Sequence, residues 1–80
     1  MTHFFFNVHM CGDIIVDEEG REFEDAVAAI KRATIEARAL LAAEIEQGKL
    51  CLGCHIEVVN GQTGERVEVP FRSVVDIASI

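Results

Sequence analysis

Tryptophan and tyrosine are absent from this sequence, so aromatic burial falls to its five phenylalanines, with Val, Ile, Leu and Ala filling the rest of any core. The single proline, Pro70, leaves the extended and helical stretches almost free of breaks, because proline fixes φ and lacks a backbone N–H. Basic residues are few: seven Lys and Arg stand against fourteen Asp and Glu, for a formal charge of −7. The seven are also scattered, at Arg21, Lys31, Arg32, Arg38, Lys49, Arg66 and Arg72. Nucleic-acid affinity comes largely from clustered cations that displace counterions from phosphates, so neither DNA nor RNA is an expected partner. Adsorption to an anionic membrane is disfavoured for the same reason. No apolar run approaches the roughly 20 residues needed to span a bilayer. Gly61 and Gly64 precede no helical pattern, so a phosphate-cradling loop is lacking too.

Met1–Met10 contains Phe4, Phe5 and Phe6 but neither the basic segment nor the long apolar run of a secretion signal, so the expected location is cytoplasmic. There Cys11, Cys51 and Cys54 are expected to stay reduced, and an odd count leaves at least one thiol unpaired in any monomer. Eighty residues suit one domain, 1–80, with a small core. Domains of this size often draw added stability from a partner, a metal or disulfides.

The patterning predicts an α+β fold of order β-β-α-β-β, a small, mostly antiparallel sheet with one long helix packed on one face. His3–Met10 alternates, with Phe4, Phe6, Val8 and Met10 sharing a face, and reads as a strand. Cys11-Gly12-Asp13 turns the chain into a short return strand, Ile14–Val16. Asp17-Glu18-Glu19-Gly20 makes a second turn, and Arg21–Phe23 a further extended piece. A helix spans Asp25–Gln47, with Asp25 (or Glu24) as N-cap and Gly48 as terminator. Val27, Ile30, Thr34, Ala37, Leu41 and Ile45 form its expected core stripe. A helix of about 34 Å exceeds a seven-residue strand of about 23 Å, so one end should overhang the sheet. Leu52–Val59 reads as a strand with Cys54, Ile56 and Val58 inward, Asn60–Gly64 as a hairpin loop. Arg66–Phe71 follows, with Val67, Val69 and Phe71 inward and Pro70 suited to an edge. Ser73–Ile77 closes as a turn of helix or an extended tail.

One helix covers one sheet face. The other is expected to carry His3, Phe5, Asn7, Ile15, His55, Glu57, Val59 and Glu68. Phe5, Ile15 and Val59 make it more apolar than a solvated face needs, and Ala28, Ile35, Ala39 and Ala42 form a small-residue strip behind the helix stripe. Phe5, Ile15, Val59, Ile35 and Ala39 are therefore the interface candidates.

The stretch His3-Phe4-Phe5-Phe6-Asn7-Val8, then Gly12-Asp13, Ile15 and Asp17-Glu18-Glu19-Gly20, resembles the small bacterial proteins of domain-of-unknown-function family 6894. The Ala-rich helix after Asp25, Leu52-Gly53 leading to Ile56-Glu57-Val58, and Val69-Pro70-Phe71 extend the resemblance from about His3 to Val75. It implies a compact bacterial domain that usually stands alone, and brings no activity or site residue with it.

Cys51-Leu52-Gly53-Cys54-His55 has the spacing used for haem c attachment. Haem is rejected: there is no export signal, the motif leads into a strand, and the resembling family does not need these cysteines or His55. Zinc fits the ligand types better, but a structural site takes four ligands, and the fourth would be His3, His9 or Cys11, or come from another chain. In a regular strand Cys51 and Cys54 point to opposite faces, and only a turn at Gly53 brings them together. Otherwise Cys54 is a small core residue and Cys51 leads into the strand. His9 and Cys11 lack a third, orienting group for nucleophilic catalysis. Asp17, Glu18 and Glu19 offer hard oxygens for a divalent cation, although a solvated turn explains them as well. The expected function is a non-enzymatic module for self-association or protein docking, without cofactor. The alternative is a zinc-binding or thiol-based sensor using Cys51, Cys54 and His55.

Overall fold

The computed structural model describes residues 1–76. Its elements are β1 (Thr2–Met10), β2 (Asp13–Ile15), β3 (Arg21–Phe23), α1 (Ala26–Glu46), β4 (His55–Asn60), β5 (Arg66–Pro70) and a 3-10 turn at Phe71–Ser73. The five strands form one antiparallel sheet in the order β2-β1-β4-β5, with β3 also paired to β1. The expected α+β order is therefore present. Ile77, the end of the anticipated closing segment, lies outside the described residues.

β1 is the central strand. Along one edge it pairs with β4 from Phe4↔Asn60 to His9↔His55. Its other edge is shared: β3 takes Thr2–Phe4 and β2 takes Val8–Met10. The gap between them is filled by the loop Val16–Gly20. There the Asp17 carboxylate accepts the backbone N–H groups of Phe6 (3.0 Å), Gly20 (2.9 Å) and Glu19 (3.2 Å), while Asn7 Oδ1 accepts the Asp17 N–H at 2.9 Å. An orphaned strand N–H is expensive, and a carboxylate supplies the absent partner.

Helix α1 starts where expected: the Asp25 side chain accepts the Ala28 N–H at 2.9 Å. It ends at Gly48, whose φ of +78° reverses the chain. The buried stripe differs from expectation. Ala29, Ala33, Ala37 and Leu41 face the sheet, whereas Val27 and Ile45 are 61% and 59% exposed and Ile30 and Thr34 only half-buried. Two causes account for this. Alanines at i, i+4 spacing let the helix backbone lie close to the sheet, which rotates the bulkier residues to the flanks. Val27 and Ile45 also stand near opposite ends of a 21-residue helix, about 32 Å long, outside the stretch Ala29–Leu41 that supplies its buried residues.

Against the alanine stripe pack Phe4, Phe6, Cys54, Ile56, Val58, Val69, Phe71 and Val74, all buried. Phe71 opens the 3-10 turn rather than closing β5, yet is fully buried; Val67, expected inward, is 40% exposed on the edge strand. Pro70 ends that edge strand, as anticipated. Arg38 Nε donates to the Val74 carbonyl at 2.7 Å and ties the C-terminal turn to α1.

The strand register corrects one facing. Ile15 pairs with Val8, and cross-strand partners share a face, so Ile15 lies on the helix side of the sheet, beyond the helix, at 57% exposure. Its neighbour Ile14, paired with His9, is the β2 residue on the open face.

Candidate functional site

The order of pairing decides which cysteines meet. β1 and β4 run antiparallel with His9 opposite His55, so the residues just after β1 lie beside those just before β4. Cys11 occupies the β1–β2 turn, and Cys51 and Cys54 flank a turn at Leu52–Gly53 ahead of β4. That turn is the one geometry in which both thiols of the Cys-x-x-Cys pair reach one point, and the chain adopts it. The sulfurs of Cys11, Cys51 and Cys54 all lie within 4.8 Å of one another. Cys51 is in disulfide contact with Cys11 and also with Cys54, at Cα separations of 6.9 and 6.0 Å. The remaining pair, Cys11 and Cys54, has its sulfurs 3.6 Å apart. One sulfur carries one disulfide, so the two pairings of Cys51 are alternatives.

Exposure grades across the cluster. Cys11 is exposed, Cys51 half-buried against the core, and Cys54 only 2% exposed. The Cys54 carbonyl accepts the Phe71 N–H at 2.9 Å, which fixes the inner end of the site to the C-terminal turn.

The candidate His residues fall elsewhere. Successive strand residues face opposite ways, so His55 leaves the sulfurs and stacks on His9 across the open face, with ring centroids 4.4 Å apart. His9 therefore does not meet Cys11 as a base. His3 Nε2 contacts the Glu19 carbonyl at 2.6 Å, at the other end of β1. Of the three residues considered as a fourth ligand, Cys11 alone joins the cluster.

The open face carries a polar row instead. Asn7 donates to Glu57 at 3.1 Å, Arg66 lies 3.4 Å from the same carboxylate, and His55 Nε2 stands 3.7 Å from Glu68. The Asn7 hydrogen bond, opposed by burial and aided by Arg66 and the two imidazoles, holds the Glu57 carboxyl below its ordinary range. Phe5 and Val59 are cross-strand partners on this face and half-buried. Ile35 and Ala39 are exposed on the outer side of α1.

Asp17, Glu18 and Glu19 do not gather as cation ligands. Burial pushes the Asp17 carboxyl up, but the N–H groups of Phe6, Gly20 and Glu19, with nearby Arg21, outweigh it and hold it below the ordinary range. Its oxygens are thus committed to backbone. A cleft of about 520 Å³ beside this loop is lined by Phe6, Val8, Asp17, Arg21 and Glu36 among others. Arg21 is taken there by Glu36, at 2.6 and 2.9 Å, with its guanidinium 4.6 Å above the Phe6 ring. That hydrogen bond keeps Arg21 firmly protonated and Glu36 ionised.

The family model described as a domain of unknown function (DUF6894) matches residues 3–72, which span β1 through the 3-10 turn. The chain belongs to the DUF6894 family. Comparison of this DUF6894 chain with curated proteins and with solved structures gives no match. In the sequence Cys11 is a possible fourth ligand, or a nucleophile beside His9; the signal for its place in the cluster is position, at the end of the strand that pairs with the one Cys54 precedes. Among the described residues, no helix is long and apolar enough to cross a membrane.

Proposed function

We propose that this domain is a thiol-based redox sensor in which Cys51 is the shared partner of two competing disulfides. The observation that carries the reading is the convergence of all three cysteines of the chain from two separate loops. Exposed Cys11 is the thiol that meets an external oxidant, here a low-molecular-weight disulfide. Its thiolate attacks one sulfur of that reagent, forming a mixed disulfide and releasing one small thiolate. The Cys51 thiolate then attacks the Cys11 sulfur, closing Cys11–Cys51 and releasing the second small thiolate. Two protein thiols are oxidised and one small disulfide is reduced. Buried Cys54 is screened from reagents but not from Cys51; its attack on that sulfur gives Cys51–Cys54 and returns Cys11 as a thiol.

The test is to treat reduced, native protein with oxidised glutathione and alkylate it after denaturation. The reading requires a monomer with one alkylated cysteine and no retained glutathione. Three alkylated cysteines, or disulfide-linked dimers, would count against it.

A second reading, self-association or docking on a protein partner, is supported by the apolar Phe5–Val59 pair on the uncovered face and by Ile14, 59% exposed, opposite His9 at the other end of that face. Light scattering after size exclusion tests it. A dimer dispersed by Phe5→Ser or Val59→Ser supports self-association, and a monomer at all concentrations removes that form of the reading.

A further inference from the structure

We propose that, when reduced, the same cluster is a zinc site in which Cys11, Cys51 and Cys54 bind one zinc(II) as thiolates and leave its fourth position open. The inference rests on the convergence that supports the redox reading, but not on any disulfide forming.

The donors are three sulfurs, all within 4.8 Å of one another, and thiolate sulfur selects soft or borderline cations over magnesium or calcium. Two of them belong to a Cys-x-x-Cys pair bent at Leu52–Gly53, the spacing at which adjacent thiols share a tetrahedral ion. The third arrives on a different turn, so the ion would tie the β1–β2 turn to the start of β4. No histidine or carboxylate joins the group among the described residues: His9 and His55 are on the opposite sheet face, and His3 is held at Glu19. Three protein ligands with an open position is the coordination of reactive or exchangeable zinc rather than of a closed structural site. The exposed side of the cluster, at Cys11, is where the ion enters and where the fourth ligand binds. Each thiol gives up its proton on binding, so affinity rises with pH.

Zinc and disulfide exclude each other here, because any disulfide of Cys51 removes two of the three ligands. The site thus couples metal occupancy to oxidation.

The experiment is an anaerobic titration of the reduced full-length chain with cobalt(II), followed by displacement with zinc(II). The proposal expects one equivalent of cobalt, a sulfur-to-cobalt charge-transfer band and the visible bands of a tetrahedral ion, all lost on adding zinc. Cys11→Ser changes an exposed turn residue and should keep the far-UV dichroism, while weakening zinc by at least the roughly 10–100-fold that loss of an outer-shell partner costs. Cys51→Ser should do the same. Absence of the charge-transfer band at one equivalent, or wild-type zinc affinity in a folded Cys11→Ser variant, overturns the proposal. A chain that forms the Cys51 disulfide but takes up no zinc overturns this site and leaves the redox reading standing. A chain that binds zinc but forms no intramolecular disulfide supports the site and removes the redox reading.

Discussion

Asp17 and Phe6 are joined by a 3.0 Å hydrogen bond from a strand N–H to a loop carboxylate, and this contact stands where a strand partner is missing. β3 pairs with the first part of β1 and β2 with the last, so the N–H of Phe6 points into the break between them. The acidic turn is therefore a strand substitute. Replacing Asp17 by Ala should destabilise the fold by about 2–3 kcal/mol, read as a lower midpoint in urea. The sign of its pH dependence follows from the lowered folded-state value. Its stabilisation is complete above the ordinary carboxylate range and is lost as pH falls through that lower value. The gap in stability between wild type and Asp17→Asn should thus be wide at neutral pH and narrow progressively as pH falls below the ordinary carboxylate value, about 3.9.

Gly20 closes the same loop at φ +71°, and a Cβ there would lie 2.5 Å from His3 Nε2 and 2.8 Å from the Phe4 carbonyl. Gly48 has a similar φ, +78°, but nothing near the added atom. Gly48→Ala should cost only the left-handed backbone penalty, about 1–2 kcal/mol. Gly20→Ala should cost clearly more, because the carbonyl cannot move without opening β1. Thermal melts of the two variants, compared side by side, check the ranking.

Ala33 is fully buried between α1 and the sheet, while Ala39 is exposed on the outer side of the same helix. Ala33→Leu should destabilise by about 1–3 kcal/mol or more, since a close-packed interface has no room for the added carbons. Ala39→Leu should be nearly neutral. Equal effects would mean that the helix is rotated relative to this account.

The two disulfides of Cys51 differ in what they constrain. Cys11–Cys51 spans 40 residues, Cys51–Cys54 only three. On a chain-entropy basis the long link stabilises by about 4 kcal/mol and the short one by about 1.5 kcal/mol. Oxidised wild type should therefore melt well above Cys11→Ser oxidised in the same way, and reduction should erase most of the difference.

Much of the fold was legible because it is written locally. The alternation of Phe4, Phe6, Val8 and Met10, the Asp25 cap and the Gly48 stop each act within a few residues. The misread features depend on relations between distant segments. Bulky Val27 and Ile45 outweigh Ala29 and Ala33 in any stripe drawn from hydrophobicity, yet closeness of the helix to the sheet is set by the small residues. Local alternation puts Ile15 on the open face, and only its pairing with Val8 shows the true side. The cluster was half visible. Cys51 and Cys54 announce themselves by spacing, and His55 by adjacency, but adjacency along a strand sends His55 to the far face. Cys11 enters through the β1–β4 register, which no local pattern encodes.

The measurement that bears most directly on the thiol cluster is a non-reducing peptide map of the chain oxidised in two states, native and unfolded in urea. In the unfolded chain the three-residue separation favours Cys51–Cys54, because short loops close at least entropic cost. In the native chain the convergence of the two turns should give Cys11–Cys51 as the main product, with Cys51–Cys54 as its exchange partner. A native sample that yields only Cys51–Cys54, or Cys11 linked to a second chain, would contradict the three-thiol site.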